Sequence, residues 1–152
     1  MHKKVGAYLG TEVDETWWKR YRKDGFFARG NGDYWFEDDG IYFRRYLTKE
    51  PLIIPYSSIQ EVRLGKWHAG QWRMGKPILK IVWIKEDLRL SSGFVVSTSL
   101  QETLILKEEL ERRLKSKNPN IQTNKFTSNR KDAESAKQTN KDTNIVRRKV
   151  QR

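Results

Sequence analysis

The chain has 152 residues, about the length of one domain, and its 31 Lys and Arg against 19 Asp and Glu give a net charge of +12. It contains no cysteine, which excludes disulfide frameworks, thiolate metal sites and cysteine nucleophiles. His2 and His68 are too few for a multi-histidine metal site. Apolar residues make up only 36%, yet six Trp, six Tyr and six Phe are present. We therefore expect one part of the chain to pack heavily and another part not to pack.

Composition divides the chain near Lys117. Residues 1–117 carry 22 basic and 16 acidic residues and all the Trp and Tyr, whereas residues 118–152 carry nine basic and three acidic residues. The second part has no Leu and one aromatic residue, so it cannot bury enough apolar surface to offset its ordering entropy. We predict a disordered, basic, low-complexity tail over 118–152. Such a tail either keeps the protein in solution or adds electrostatic attraction to an acidic partner.

Residues 1–24 are predicted to pack as a separate N-terminal segment on a domain that spans 25–117. The chain starts with basic residues, as a signal peptide does, but the following apolar stretch is short and acids interrupt it from Glu12 onward. The most apolar windows are far shorter than a membrane span. We expect a cytoplasmic protein that can touch a membrane surface peripherally but cannot cross it.

The predicted strands alternate apolar and polar residues. Tyr34–Phe36 and Ile41–Leu47 flank Asp38-Asp39-Gly40, a strong hairpin signal because an Asp-Gly turn uses positive φ. Leu52–Tyr56 follows as a short strand, and Pro55 indicates that it lies at a sheet edge. The second strand of the hairpin would direct three apolar side chains inward, namely Ile41, Phe43 and Leu47.

Three further strands are predicted, over Gln60–Leu64, Ile78–Lys85 and Leu88–Ser97. A glycine-rich loop at 65–77 separates the first two, and Glu86-Asp87 forms the turn between the last two.

The hydrophobic period becomes helical after Ser99. Ser99 and Glu102 form a capping box, and five leucines fall within an arc of roughly 160°, with Ile105 outside it. This predicts an amphipathic helix of four to five turns that ends before Asn118 and packs on the strands. A coiled-coil seam is the alternative, although the pattern lasts under three heptads. The five leucines are Leu100, Leu104, Leu106, Leu110 and Leu114.

This order of about six or seven antiparallel strands and one C-terminal helix resembles the pleckstrin-homology-like (PH-like) superfold. The chain looks most like GRAM-type and bacterial PH-like domains, on the strength of segments 32–45 and 54–62. The likeness covers roughly 25–116. It implies a mainly β (α+β) fold, a barrel of two near-orthogonal antiparallel sheets capped by the helix. It also implies a non-enzymatic module that binds lipid headgroups, peptides or proteins.

One feature departs from the phosphoinositide-binding members of that superfold. Those domains usually carry several Lys or Arg in and around the first hairpin loop. If Phe26–Arg29 and Tyr34–Phe36 form the first hairpin here, its loop Gly30–Asp33 has an acid and no base.

Motifs that suggest catalysis or cofactor binding are incomplete. Residues 70–77 nearly match a nucleotide-phosphate loop, but Pro77 supplies no hydroxyl and a strand follows instead of a helix. Residues 37–39 are three acids at a hairpin tip and are better explained as turn formers than as a metal site. No acid close in sequence completes a hydrolase triad with His68. We therefore expect no enzyme activity, no cofactor and no metal.

Two segments mix aromatic with basic residues, at 17–23 and 66–76. Indole rings offer flat apolar surface and Lys and Arg offer charge, a combination that suits a phosphate-bearing partner. Each segment also has a structural explanation. Trp17 and Tyr21 are four apart and could anchor a short helix, while the second segment could pin a loop over a barrel mouth. The candidate binding residues are Trp18, Lys19, Arg20, Lys66, Trp67, His68, Trp72, Arg73 and Lys76.

These observations favour a cytoplasmic PH/GRAM-like binding module whose partner is anionic lipid headgroups or an acidic protein segment. The alternative is a small basic β-domain that binds nucleic acid, supported by the same charge and aromatic residues but by no known nucleic-acid signature. A third hypothesis is a homodimeric scaffold that associates through the edge Leu52–Tyr56 or through Tyr42 and Tyr46.

Overall fold

The computed structural model describes residues 2–118, so the predicted tail from residue 119 onward lies outside the described residues. Residues 2–118 form ten strands and one long helix. No helix in this part of the chain is long and apolar enough to span a membrane. The elements are β1 (Lys4–Val13), β2 (Thr16–Arg20), β3 (Gly30–Phe36), β4 (Gly40–Arg45), β5 (Leu52–Pro55), β6 (Ile59–Gly65), β7 (Trp67–His68), β8 (Gln71–Trp72), β9 (Ile78–Lys85), β10 (Leu88–Val95) and α1 (Leu100–Lys117).

Two antiparallel sheets make up the β-structure of residues 2–118. Seven strands of the larger sheet follow the order β5-β4-β3-β1-β10-β9-β6, and β2 pairs with β1. The two ends of this path, β5 and β6, contribute Ile54 and Val62 to one apolar core, so the sheet curls around that core. The 3-10 turn Tyr56–Ser58 joins these two strands. The predicted mainly β, antiparallel architecture with a C-terminal helix is confirmed.

A chain of hydrogen bonds links buried polar side chains within the core. The indole Nε1 of Trp83 donates to Ser92 Oγ (2.9 Å), which lies 2.7 Å from Thr11 Oγ1. Thr11 Oγ1 lies 2.6 Å from the Tyr8 hydroxyl, which donates to the Phe26 carbonyl oxygen (2.8 Å). The donors and acceptors therefore follow one consistent direction, from β9 through β10 and β1 to the segment before β3. Each of these side-chain polar atoms has a hydrogen-bond partner.

The predicted Asp-Gly hairpin is present between β3 and β4, but its glycine is not needed for a positive φ in the turn. The φ angle of Gly40 is not positive. A Cβ at Gly40 would lie 2.5 Å from the Ile54 carbonyl oxygen, so glycine is needed for close approach to β5. The predicted edge position of β5 is confirmed.

Two other hairpins of the large sheet use turns without glycine. Asp14 and Glu15 have φ of 51° and 54°, and Glu86 and Asp87 have φ of 50° and 63°. Positive φ at both central residues is typical of type I′ turns, whose twist matches that of the flanking strands.

The N-terminal segment differs from its prediction. Thr16–Arg20 is the strand β2 and not a short helix, because the turn at Asp14 and Glu15 returns the chain antiparallel to β1. β1 itself lies between β3 and β10, so these residues belong to the sheet.

Two smaller predictions are also wrong. The hairpin loop assumed at Gly30–Asp33 does not exist, since Gly30–Phe36 is one strand that pairs with β1 and β4. Leu47 does not face inward. β4 ends at Arg45, and Leu47 lies fully exposed in the following turn with φ of 68°.

The helix begins as predicted, with the Ser99 side chain accepting from the Glu102 backbone N–H (3.3 Å). It packs on β6 and the 3-10 turn. Only three of its five leucines are buried, and the two in the first turns are exposed. The buried leucines are Leu106, Leu110 and Leu114, and the exposed ones are Leu100 and Leu104.

Leu110→Ala should destabilise the domain by about 2–5 kcal/mol, because it removes a fully buried side chain and leaves a cavity. Ile105→Ala, on the exposed face of the same helix, should change stability by less than about 1 kcal/mol. Urea unfolding of both variants checks this, and equal losses would show that the helix packs through another face.

Candidate functional site

The segment 65–77, predicted as a loop, contains the small hairpin β7–β8. Trp67 pairs directly with Trp72, and His68 pairs with Gln71. Side chains opposite each other on paired strands project to the same side, while successive residues project to opposite sides. The two indoles therefore share one face of the hairpin, and His68 occupies the other face.

His68 holds this hairpin on the outer face of the large sheet. Its side chain is fully buried, and Nε2 lies 2.9 Å from the Gly10 carbonyl oxygen, so Nε2 carries the hydrogen and donates. A Cβ at Gly93 in β10 would lie 2.3 Å from His68 Cδ2. Only glycine at position 93 lets the imidazole lie against the strand.

The turn of the hairpin is held by two further side chains. Ala69 N–H donates to Oε1 of the buried Glu12 on β1 (2.5 Å). The Ala69 carbonyl oxygen accepts from Arg29 Nη2 (3.0 Å). Both backbone polar groups of Ala69 are thus satisfied by residues that lie at least 40 positions away in the sequence. The hairpin is a fixed part of the domain.

The environment of His68 keeps its imidazole neutral near pH 7. Burial lowers the pKa of His68 below its usual 6.5, although the nearby Glu12 carboxylate acts in the opposite direction. Nδ1 is buried without a hydrogen-bond partner and lies 3.8 Å from Glu12 Oε1. The structure thus places this candidate binding residue beneath the hairpin, where it positions the hairpin instead of facing solvent.

Five large apolar side chains are exposed on two neighbouring hairpins or just after the second one, and we call them the indole surface. Their exposed fractions are 61% for Trp17, 65% for Trp18, 61% for Trp67, 54% for Trp72 and 82% for Met74. The rings of Trp17 and Trp18 meet edge to face at 5.5 Å. A Cβ at Gly70 would lie 3.4 Å from Trp17 Cε3, so β2 and the β7–β8 turn are adjacent.

Basic residues flank these exposed rings, and we call them the basic rim. Lys19 follows Trp18 on β2, while Lys66 and Lys76 precede and follow the second hairpin, and all three are exposed. Arg73 is half-buried next to Trp72. Arg20 does not belong to the rim, because its guanidinium lies against Gly10 and its Nε is buried.

A groove of about 680 Å³ separates the two hairpins. Trp17 and Trp67 both line it, together with residues of the outer sheet face and of the β7–β8 turn. Burial lowers the pKa of Lys80, which lies on β9. Glu15 is neutralised by ion pairs with Arg89 (2.5 Å) and Arg63. The remaining lining residues are Glu12, Glu15, His68, Ala69, Gly70 and Lys80.

The candidate binding residues named from the sequence omit three residues of this region, namely Trp17, Met74 and Lys80, although the first two lie within the aromatic-basic segments. The four-residue spacing of Trp17 and Tyr21 is compatible with a short helix, and the turn before Trp17 lacks the glycine or asparagine that usually marks a hairpin. Alternation within the predicted strand Ile78–Lys85 sets Lys80 on the face opposite Leu79, Ile81 and Trp83. It could not indicate which segment would cover that face.

Two of the three acids at 37–39 accept hydrogen bonds from neighbouring aromatic side chains. The Tyr42 hydroxyl donates to the Asp39 carboxylate (3.0 Å), and Trp35 Nε1 donates to Glu37 (2.9 Å). Tyr42 also stacks on Trp35 with ring centroids 5.6 Å apart. Among residues 2–118 no group of three or more His, Asp or Glu side chains could hold a metal ion.

Comparison with known proteins identifies the fold. A family model described as Bacterial PH domain-like matches residues 1–108. The chain belongs to the bacterial PH domain-like family. The match begins at residue 1, whereas the resemblance in the sequence covered roughly 25–116, so this PH-like domain includes β1 and β2. No curated protein matches the chain. PH-like domains are generally non-catalytic binding modules.

The neutral, buried His68 predicts how stability of the PH-like domain depends on pH. Its folded pKa is lower than its unfolded value, so the unfolded chain binds more protons below about pH 6.5. Stability should therefore fall as pH falls from about 6.5, with a His68 contribution of up to about 1.4 kcal/mol per pH unit. Urea unfolding between pH 5 and 7.5 measures this slope.

His68→Gln is the matched variant for that experiment, because its amide can still donate to the Gly10 carbonyl oxygen but does not titrate. Its stability should depend less steeply on pH than that of the wild type. His2→Gln, at an exposed position, should retain the wild-type slope. Parallel slopes for the wild type and His68→Gln would contradict the assignment of a neutral His68.

Proposed function

We propose that this PH-like domain is a non-enzymatic cytoplasmic module that binds peripherally to anionic membranes through the indole surface and the basic rim. The observation that supports the proposal is the exposure of four tryptophans on two adjacent hairpins. Contiguous exposed apolar patches on a domain of this size usually mark an interaction surface. Indole rings favour the membrane interface, where the ring is buried among lipids and its N–H remains hydrated.

The basic rim supports an anionic lipid surface as the partner. Lys19 lies on the same hairpin as Trp17 and Trp18, and the exposed Lys66 and Lys76 lie just before and after the β7–β8 hairpin. A Lys or Arg near an anionic bilayer contributes about 1 kcal/mol of attraction, which decreases as salt increases. Shallow insertion of the rings and electrostatic attraction would therefore act together.

The rigid attachment of the β7–β8 hairpin also favours this function. His68, Glu12 and Arg29 hold its backbone in place before any partner arrives. A surface that is already ordered loses less conformational entropy on binding than a mobile loop would lose. The indoles of Trp67 and Trp72 are presented to the partner without rearrangement.

The double variant Trp67→Ala/Trp72→Ala should bind vesicles that contain anionic phospholipid about tenfold or more weakly than the wild type, since it removes two interfacial rings. Co-sedimentation of the full chain with these vesicles measures the effect. Stability should change little because both rings are exposed. The matched control is Tyr46→Ala, which removes an exposed aromatic ring in the turn that follows β4. This variant should bind like the wild type.

The same measurement at about 0.1 and 0.5 M salt should show weaker binding at the higher concentration, because the Debye length shortens. Unchanged binding by the double variant would contradict the proposed surface. Single-stranded RNA bound more tightly than vesicles at equal salt would instead favour the nucleic-acid hypothesis.

A further inference from the structure

Lys80 is a half-buried cation that lacks a partner within the described residues. Its side chain extends from the outer face of β9 over Gly65, where a Cβ would lie 2.8 Å from Lys80 Cε. Among residues 2–118 the Lys80 ammonium forms neither a hydrogen bond nor an ion pair, although it lines the groove between Trp17 and Trp67. Burial of this ammonium is unfavourable and nearby Arg63 adds repulsion, while the Glu12 carboxylate attracts Lys80 without forming an ion pair with it.

Glu12 presents the opposite charge to the same groove. Its Oε1 accepts from Ala69 N–H, and its carboxylate forms no ion pair with Lys80. The acid is therefore held in place by the hairpin turn instead of by a neighbouring cation. The groove thus carries one positive and one negative group that do not neutralise each other directly, between two exposed indole rings.

We propose that this groove binds the headgroup of a zwitterionic phospholipid in the bilayer, with the phosphate on Lys80 and the ammonium beside Trp17, Trp67 and Glu12. A ligand with both charges would pair both groups of the groove at once. Lysine ammonium forms strong charge-assisted hydrogen bonds with phosphate. Cations bind over indole faces, and this geometry is well suited to alkylammonium groups.

The size and charge of the groove favour this headgroup over a purely anionic one. A volume of about 680 Å³ lies in the range of sites for small ligands. Glu12 lines it and forms no ion pair with a Lys or Arg among residues 2–118, so a ligand with only negative charge would face repulsion from that carboxylate. The inference rests on the proposed membrane function, because it specifies which lipid the same surface selects.

The test compares two vesicle types with the same fraction of anionic lipid. The remaining lipid is phosphatidylethanolamine in one type and an uncharged galactosyl diacylglycerol, which has neither ammonium nor phosphate, in the other. The full-length wild type should bind the first type about threefold to tenfold more tightly. Lys80→Met should abolish this preference and retain binding to both types.

Two further variants separate recognition from general adhesion. Glu12→Gln removes the charge but keeps an oxygen that can accept from Ala69 N–H, and it should lower the ratio of binding between the two vesicle types. Lys76→Met, in the basic rim outside the groove, should weaken binding to both vesicle types and keep their ratio. The assignment of the headgroup to Lys80 would be overturned if Lys76→Met lost the preference for phosphatidylethanolamine vesicles while Lys80→Met kept it.

The outcomes also distinguish the two proposals. Equal wild-type binding to both vesicle types would overturn the headgroup site and leave the membrane function intact. No binding to either type would contradict the membrane function itself. A preference that persists in both Lys80→Met and Glu12→Gln would show that selection occurs elsewhere on the indole surface.

Discussion

The attachment of the β7–β8 hairpin to the outer face of the large sheet is the constraint on which the candidate site depends. The His68 imidazole fills the space above Gly93 and donates a hydrogen bond to the Gly10 carbonyl oxygen. The Glu12 carboxylate accepts a hydrogen bond from the Ala69 N–H. These contacts bury the face of the hairpin that carries His68, so Trp67 and Trp72 on the opposite face are exposed to solvent. A free loop with the same residues would collapse its indoles onto the domain, since exposed rings gain free energy by burial.

The same strands serve stability on one face and binding on the other. Inward residues of β1, β9 and β10 form the hydrogen-bond chain from Trp83 to Phe26, in which every buried donor and acceptor has a partner. Outward residues of these strands include Glu12 and Lys80, which lack such complete pairing. Incomplete pairing of charged groups is unfavourable for folding, and the apolar core with its hydrogen-bond chain compensates for it.

Much of the architecture was predictable from local patterns. Period-two alternation located β4, β9 and β10, and the capping box located the start of α1. The helix prediction overestimated the buried face, because periodicity shows which residues share a side but not how far the supporting sheet extends. Leu100 and Leu104 fit the pattern and still lie exposed. Likewise, the turn before β2 was missed because its positive φ angles belong to Asp14 and Glu15, which carry no glycine signal.

The sequence by itself determined the PH-like class, the excess of positive charge and the two aromatic-basic segments, because composition and short-range spacing carry that information. Only the tertiary structure brought Trp17 beside the β7–β8 hairpin, buried His68 and left Lys80 in the groove. Those outcomes depend on contacts between residues about 60 positions apart, such as Ala69 with Glu12 and His68 with Gly10. The chain makes such contacts only when the sheet curls and the hairpin folds back over it, and no local pattern encodes that approach.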